Sequence, residues 1–579
     1  MRGIGEPGSV EPSSVEPSSV ETVAEATTPN ESSVWKDPTS RTARLAVVAF
    51  SVYLTVAFFV LVRLGRNYWF YSDDFGLLVR RWRSGDGLFR PQNGHWSTFP
   101  LLAYHFLYWA FGLNYGPFQV CTILMHLTLA VLLRVIMRRA GVGPWFATIT
   151  ASVFVLFGPG SENILLSVQI SMVGSLLFGI GHLLCADHDG PFTRRDAAGL
   201  VCGALALTAS GVGTIMVIIV GFAVLFRRGW RMAALHTAPL AVMYGAWYQA
   251  ERNWLTIPFP DNPLKYAFQW NLTGERGVFV AIGNYREVAI ALAVLLVVGL
   301  VIAWRPLDLA ELRRRASAPA ALLLGAPTLF AIVSSQRYWA GNAAASSRYV
   351  SMATAFTLPA LAVAAQAVAR HWRRIAPVVG LLIVSAIPAN IGKFPEPQLA
   401  ARLSPNGLDF HGPIGRYAYE KQITLGIAYS PLVDHVSRKL QPQIASSREK
   451  DPSVGFLVDA RDSGRLPPPP ALTTSRLDEV VVRLGVEQLG AAPPAHVVCR
   501  RYDDALVLYP AKGAVYVLRE SVAITYRPPD GTVAAGGVVF APSRGKLLVI
   551  QVSGLELHVA RAPAPFPARP VVRPFTFCE

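Results

Sequence analysis

Charged side chains are scarce in this sequence: Asp, Glu, Lys and Arg make up 16% of its 579 residues, whereas 52% are hydrophobic. A soluble domain carries roughly 25% charged residues, so the shortage favours a polytopic membrane protein with some soluble mass attached. The formal charge is +16. The basic residues form short clusters between apolar runs, which argues against nucleic acid as a partner and is typical of cytoplasmic loops.

Cysteine is also scarce, and five cysteines exclude a dense disulfide framework. Cys121, Cys185 and Cys202 lie in or beside apolar segments, where a small buried thiol is the expected role. Cys499 and Cys578 fall in the polar C-terminal part. These two can form a disulfide if that part lies outside the cytosol.

The N-terminus lacks the apolar core of a signal peptide. Residues 1–42 are polar and contain the repeat "SVEPSSVEPSSVE". A segment rich in Ser, Glu and Pro buries too little apolar surface to offset its chain entropy. We therefore expect a disordered cytoplasmic tail.

Long apolar runs are abundant, and eleven of them approach the twenty or so residues that span a bilayer. They lie at about 45–64, 116–137, 143–159, 164–184, 197–211, 212–226, 233–250, 285–304, 319–334, 348–368 and 375–390. With eleven spans and a cytoplasmic N-terminus, six arginine clusters all fall on the cytoplasmic side. These clusters begin at Arg41, Arg138, Arg194, Arg227, Arg313 and Arg370.

This pattern predicts a polytopic α-helical domain over 43–390 with about eleven transmembrane helices, in the plasma membrane. The amphipathic stretch 73–84 and the aromatic-rich stretch 97–113 are expected to be interfacial helices on the outer face. Residues 391–579 are expected to form an extracytoplasmic domain, and from about residue 496 the sequence alternates like short strands, which predicts a β-rich (α+β) fold. The "LPPPPA" stretch at 466–471 is interpreted as a hinge.

Two acidic loops fall on the predicted outer face. Asp73 and Asp74 stand in "YWFYSDDFGLLVRRWRS", and Glu162 stands in "FGPGSEN" after a later span. The simpler alternative is that Asp74 or Ser72 caps a helix while Asp73 is merely solvated. Carboxylates from two loops on the same side of the bilayer nevertheless favour a shared site.

Cations on this face depart from the positive-inside bias. Arg337, Arg348 and Tyr349 belong to a late outer loop, and Arg80 and Arg81 follow the paired acids. An anionic phosphate at headgroup depth would account for arginines at this position. We therefore regard these five residues as candidate contacts for a substrate or a lipid phosphate.

The layout as a whole resembles the GT-C (C-type) integral-membrane glycosyltransferases. The shared features are a tail, one span, a first outer loop with "SDD", an interfacial helix opening with "NGHWSTFP", and an acid in the second outer loop. His95 looks like the His that often opens this helix. The resemblance covers roughly residues 43–370, but the usual prolines after that His and a strict D-x-D motif are missing.

The resemblance implies roles for the outer-face residues. Asp73 looks like the catalytic acid that serves as base or positions the acceptor, Asp74 looks like its partner, and Glu162 looks like the second-loop acid. Arg348, and next to it Arg337, look like contacts to the donor phosphate.

The resemblance further implies a polyprenyl-phosphate-linked sugar as donor and a glycan, glycolipid or protein hydroxyl as acceptor. No cofactor is firmly implied, and the sequence allows a divalent metal without requiring one. The residue usage is similar to that of actinobacterial cell-envelope arabinosyl- or mannosyltransferases.

Other functions stay open at the level of sequence. A multi-span transporter or lipid flippase is the main alternative, although such proteins tend to hold ionisable residues in mid-span. A third is an assembly protein whose exported domain binds glycan. The stretch "HLLCADHDG" (182–190) bunches possible metal ligands, but we interpret it as a solvated cytoplasmic loop.

Overall fold

The structure is a computed structural model of the chain. It describes residues 41–66, 68, 70, 72–80, 87–254, 260–338 and 344–394, residue 463, and the strands between 486 and 578 with short flanking segments. The predicted tail (1–42, apart from its last two residues), Arg81 and the hinge at 466–471 lie outside the described residues.

The N-terminal part is built from α-helices. In chain order they are α1 (Arg41–Gly65), α2 (Ser72–Phe75), α3 (Thr98–Phe111), α4 (Tyr115–Arg139), α5 (Pro144–Val155), α6 (Ser161–Leu165), α7 (Ile170–Ala186), α8 (Arg194–Ala209), α9 (Val212–Arg228), α10 (Trp230–Glu251), α11 (Pro263–Gly283), α12 (Arg286–Trp304), α13 (Leu309–Arg337), α14 (Ser347–His371), α15 (Ala376–Val384) and α16 (Ala386–Ile391).

Each of the eleven predicted spans coincides with helix, and the fold is that of a polytopic α-helical protein with a β-rich C-terminal part. Within the described residues, seven helical segments are long and apolar enough to cross a membrane. They are Arg41–Gly65, Tyr115–Arg139, Ser167–Ala186, Arg286–Trp304, Leu309–Arg337, Ser347–His371 and Arg373–Ile391. The other four predicted spans correspond to α5, α8, α9 and α10, of which α5 has only 12 residues.

The arginine clusters gather at one end of the helices, which we call the basic end. Arg139 and Arg195 both donate hydrogen bonds to the carbonyl oxygen of Leu184, at 2.8 and 2.6 Å. Arg227 donates to the carbonyl of Arg314 at 3.4 Å. Four clusters that are far apart in sequence therefore meet at this end.

The remaining two clusters join them. Arg315 and Arg370 line one cavity with Gly141, and Thr148 at the start of α5 donates to the carbonyl of Ala46 near the start of α1. The arrangement agrees with the predicted topology, and assignment of the basic end to the cytoplasm stays a prediction.

The stretch 182–190 is held by ion pairs at the basic end and is more ordered than a solvated loop. Arg227 pairs with Asp187 at 2.6 Å and with Asp189 at 2.9 Å. The Nε2 atom of His188 lies 3.0 Å from Asp196 Oδ2. In the part of the chain that the structure describes, no group of three or more His, Cys, Asp or Glu is arranged to hold a metal ion.

The segment between the predicted spans at 233–250 and 285–304 contains a helix that was not predicted from the sequence. In α11, Asn262 accepts a hydrogen bond from the Lys265 amide at 3.1 Å, and Pro263 occupies the first turn. The helix carries Glu275 and Arg276, so it gives no hydrophobic run. Its rings contact the outer-loop region, with Trp270 against Tyr349.

The interfacial helices differ in regularity. The second one, predicted at 97–113, is α3. The first, predicted at 73–84, is α2 followed by a π-helical turn at Gly76–Arg80, and residues 81–84 lie outside the described part. Such π turns are frequent at functional sites.

The C-terminal part contains strands β1 (Val486–Leu489), β2 (Cys499–Tyr502), β3 (Leu506–Leu508), β4 (Lys512–Leu518), β5 (Val522–Tyr526), β6 (Gly537–Phe540), β7 (Leu548–Ser553), β8 (Leu557–Arg561) and β9 (Phe575–Cys578). They form antiparallel sheets in the orders β1-β7-β4-β9-β2 and β3-β8-β5-β6.

A disulfide joins Cys499 and Cys578, the two cysteines that the sequence places in this part. They are directly opposite each other on β2 and β9. The bond therefore links the edge strand β2 to its neighbour.

A glycine allows close contact between α12 and α14. Gly299 of α12 is buried against α14, and a Cβ atom added there would lie 2.5 Å from the carbonyl oxygen of Ala364. Backbone atoms cannot move aside as a side chain can, so even alanine would force the two helices apart.

We expect Gly299→Ala to lower the free energy of unfolding by about 1–3 kcal/mol because it overpacks this contact. The matched control is Gly245→Ala on α10, where an added Cβ meets nothing within 4 Å. The control should be neutral or slightly stabilising, since alanine favours helix. Thermal unfolding in detergent checks the pair, and equal midpoints for both variants would contradict the proposed contact.

Candidate active site

The Asp74 carboxylate is the most deeply buried acid of the predicted site, with no exposed surface. Its Oδ1 atom accepts hydrogen bonds from the hydroxyl of Tyr104 on α3 and from Ser167 Oγ at 2.7 Å. Burial, and next to it the Asp74 charge, raises the pKa of Tyr104 well above its ordinary value, so the phenol remains a donor. Asp74 thus fixes the first acidic loop to α3 and to the segment after α6.

This geometry gives the paired acids different tasks. Sequence reasoning placed Asp74 beside Asp73 as a catalytic partner, but a carboxylate without exposed surface cannot meet a substrate. Asp73 remains partly exposed and accepts a hydrogen bond from Asn93 Nδ2 at 3.1 Å. We therefore interpret Asp74 as a positioning residue and Asp73 as the acid that can reach a ligand.

A tight turn presents His95 to the site. The backbone amides of Gln92 and His95 each donate to the carbonyl of the other at 2.9 Å. Asn93 and Gly94, between them, adopt positive φ values of 50° and 80°. Asparagine and glycine are the residues that tolerate this conformation, so "QNGH" is a turn signal that the sequence carries.

His95 marks the point where three predicted residues converge. Burial, and then the positive charge of Arg337, lowers the pKa of His95 to about 4, and the negative charge of Asp73 opposes the shift. His95 and Arg337 line the same cavity, and Asn93, two residues before His95, hydrogen-bonds to Asp73, so three separate segments meet here. The His95 imidazole is neutral at pH 7.

The second acidic loop meets the start of α14. Arg348 Nε donates to Glu162 Oε2 at 3.3 Å, and Asn163 Nδ2 donates to the carbonyl oxygen of Arg348 at 2.9 Å. The Glu162 amide also donates to Ser347 Oγ at 3.3 Å. Glu162 and Arg348 are thus brought together as an ion pair, so the charge of Arg348 is partly balanced before any phosphate binds.

A cavity of about 270 Å³ opens beside these residues. Its polar and aromatic lining residues, together with two glycines, are Gly94, His95, Ser210, Gly211, Thr214, Tyr244, Tyr248, Ser335, Gln336, Arg337 and Tyr349. Its apolar lining residues are Met172, Val212, Ile215, Leu329, Ile332, Val333 and Met352. The mixed lining can contact both polar and apolar groups of a ligand.

Aromatic residues of α10 are a component that sequence reasoning missed. Tyr244 and Tyr248 line the cavity, and the ring of Trp247 stacks on Trp96 with centroids 5.1 Å apart and an interplanar angle of 6°. Trp247 Nε1 also donates to the carbonyl of Phe89 at 2.6 Å. The signal was the run of aromatics at the end of a predicted span, "YGAWYQAERNW".

Gly211 is a second residue of the candidate site that the sequence analysis did not identify. A Cβ atom added there would lie 2.9 Å from His95 Nδ1. The short "SGVG" connection between α8 and α9 therefore lets the imidazole approach the backbone.

Two predicted contacts cannot be placed. Arg80 ends the π-helical turn, and only its backbone is described. Arg81 lies outside the described residues. Their assignment as phosphate contacts stays a prediction.

Comparison with known proteins adds little to this geometry. No protein-family model and no curated protein matches the chain. Among solved structures, the chain is similar to the crystal structure of ArnT from Cupriavidus metallidurans in the apo state. The identity is 16%, the match covers 73% of this chain and 76% of that chain, and the TM-score is 0.38.

We expect Tyr104→Phe to lower the free energy of unfolding by about 1–3 kcal/mol, because the buried Asp74 carboxylate loses one of its hydrogen-bond donors. The control is Tyr285→Phe, which removes the same hydroxyl from a residue that is 68% exposed. Unfolding midpoints of both variants check the difference. Equal stability would show that the Asp74 hydrogen bond contributes nothing.

We also expect the stability of the protein to fall between pH 6.5 and pH 4 partly through His95. Its pKa is about 4 in the folded protein against an ordinary 6.5, so the unfolded chain takes up the proton first as the pH falls. Above pH 6.5 the imidazole is neutral in both states and contributes no pH dependence. His95→Gln should flatten this part of the profile of unfolding midpoint against pH, and an unchanged slope would contradict the assignment.

Proposed function

We propose that the protein is an integral-membrane glycosyltransferase that uses a polyprenyl-phosphate-linked sugar as donor. The observation that carries the proposal is a cavity of mixed polar and apolar lining that includes His95 and Arg337, with Asp73 held by Asn93 next to the lining residue Gly94. The site lies at the end of the helices opposite the basic end. The positive-inside rule supports the outer face of the membrane for that end.

The donor fits the mixed lining of the cavity. Arg337, together with Gln336 and Tyr349, supplies polar groups, among which the guanidinium can hold a phosphate. Leu329 and Ile332, one to two turns earlier on α13, supply apolar surface that suits the first isoprene units. A free sugar phosphate would leave that apolar surface unused.

The transfer requires few groups. The acceptor hydroxyl attacks the anomeric carbon while the bond from that carbon to the phosphate oxygen breaks, and lipid phosphate leaves. Asp73 accepts the hydroxyl proton as general base. Arg337 stabilises the negative charge that accumulates on the departing phosphate.

The neighbouring residues orient this constellation. His95 is neutral, so it can offer the substrate a hydrogen bond without adding charge. Arg348, held by Glu162, is a second cation near Tyr349 on the same face. We assign Glu162 and Arg348 to a supporting role beside Arg337, and the donor sugar and acceptor stay open among glycan, glycolipid and protein.

We expect Asp73→Asn to reduce sugar transfer by about 10²–10⁴-fold, because the amide cannot accept the proton. The assay uses the full chain in proteoliposomes with radiolabelled polyprenyl-phosphate mannose and arabinose. The matched control is Asp261→Asn, an exposed acid in the segment before α11, which should retain full activity. Full activity of the Asp73 variant would remove the catalytic assignment.

The same assay distinguishes the roles of Arg337 and Arg348. It also tests the alternative that the protein is a flippase. Arg337→Gln should lower kcat/KM for the donor more than Arg348→Gln, and Arg337→Lys should restore part of the activity. The reverse order would move the main phosphate contact to Arg348. Movement of the lipid-linked sugar across the bilayer without transfer would favour a flippase.

A further inference from the structure

A second cavity, of about 360 Å³, lies at the basic end, far from the proposed transfer site. It is lined by the loop 140–142 after α4, by the end of α12 and the residues that follow it, by Arg315 of α13 and by the last turns of α14. Its polar lining includes Arg315, Arg370 and His371, and its apolar lining includes Val142, Ile302 and Val363. Two regions that are distant in sequence, 140–142 and 302–371, therefore contribute to one cavity.

The loop between α4 and α5 keeps this cavity open. Gly141 has a φ of +90°, and a Cβ atom there would lie 3.3 Å from Arg315 Nη1. The amide of Gly143 donates to Gln366 Oε1 at 2.8 Å and ties the loop to α14. The opening is therefore fixed by a specific backbone conformation and a side-chain hydrogen bond.

The charge of the lining has one sign. Arg315 pairs with Glu311, which balances part of its charge, whereas Arg370 and His371 lie exposed at the end of α14. Among the described residues that line the cavity there is no carboxylate. A small anion with at least two acceptor oxygens is the ligand chemistry that this lining favours.

We propose that this cavity binds the phosphate of an anionic phospholipid from the leaflet at the basic end. Apolar lining residues such as Val142 and Val363 can contact the upper acyl chain. Trp304 also lines the cavity, and aromatic residues are common at headgroup depth. Basic pockets between transmembrane helices on the cytoplasmic side bind anionic headgroups by this combination.

Native mass spectrometry of the full chain tests the proposal by titration with phosphatidylglycerol and, separately, phosphatidylcholine. The wild type should retain phosphatidylglycerol preferentially. The double variant Arg315→Gln/Arg370→Gln should bind it roughly thirtyfold more weakly, from the typical contribution of each arginine near an anionic headgroup. If the double variant does not fold, Arg370→Gln alone, at an exposed position, should weaken binding about fivefold.

The matched control is Arg373→Gln/Arg374→Gln, which removes the same charge from exposed residues outside the cavity. Its affinity should stay within about threefold of the wild type. Equal losses in the two double variants would mean that only overall surface charge matters and would overturn the site. Displacement of the lipid by millimolar inorganic phosphate would overturn the lipid assignment in favour of a free-phosphate site.

Discussion

The architecture opposite the basic end depends on the burial of one carboxylate, that of Asp74. Removing an ionised acid from water is costly unless its oxygen atoms are hydrogen-bonded, and Tyr104 and Ser167 supply two hydroxyl donors to it. These three residues belong to α2, to α3 and to the segment after α6. Satisfying one buried charge therefore fixes the relative positions of three chain segments, including the backbone beside Asp73.

The two ends of the helical part also differ in their content of arginine. Arginine clusters gather at the basic end, where Arg139 and Arg195 donate to the carbonyl of Leu184 and Arg228 donates to that of Ala186, both in the last turn of α7. A positive side chain at a helix C-terminus is favourable because it meets the negative end of the helix dipole. At the opposite end, Arg348 pairs with Glu162 and Arg337 lines the cavity.

Much of the helical framework could be predicted because a bilayer demands long apolar segments, and the sequence shows them directly. The proximity of Asp73, His95 and Arg337 could be predicted only in part. A topology assigns each residue to one side of the membrane, but it does not say which residues are neighbours there. Helix α11 escaped prediction because Glu275 and Arg276 interrupt its apolar pattern, although "DNP" before it is a capping signal. The buried state of Asp74 depends on distant hydroxyl groups, which no local pattern reports.

The stacked rings of Trp96 and Trp247 have a consequence for recognition. Because Trp247 also holds the carbonyl of Phe89, the turn that carries His95 and the end of α10 that carries Tyr244 form one rigid wall. In the proposed reaction, an incoming sugar ring would meet a surface whose shape is already set, so that binding would cost little conformational entropy. Two epimers would then be discriminated because the wrong one does not fit this rigid surface. A substitution that disrupts the stacking of the two indole rings would make the selectivity less strict.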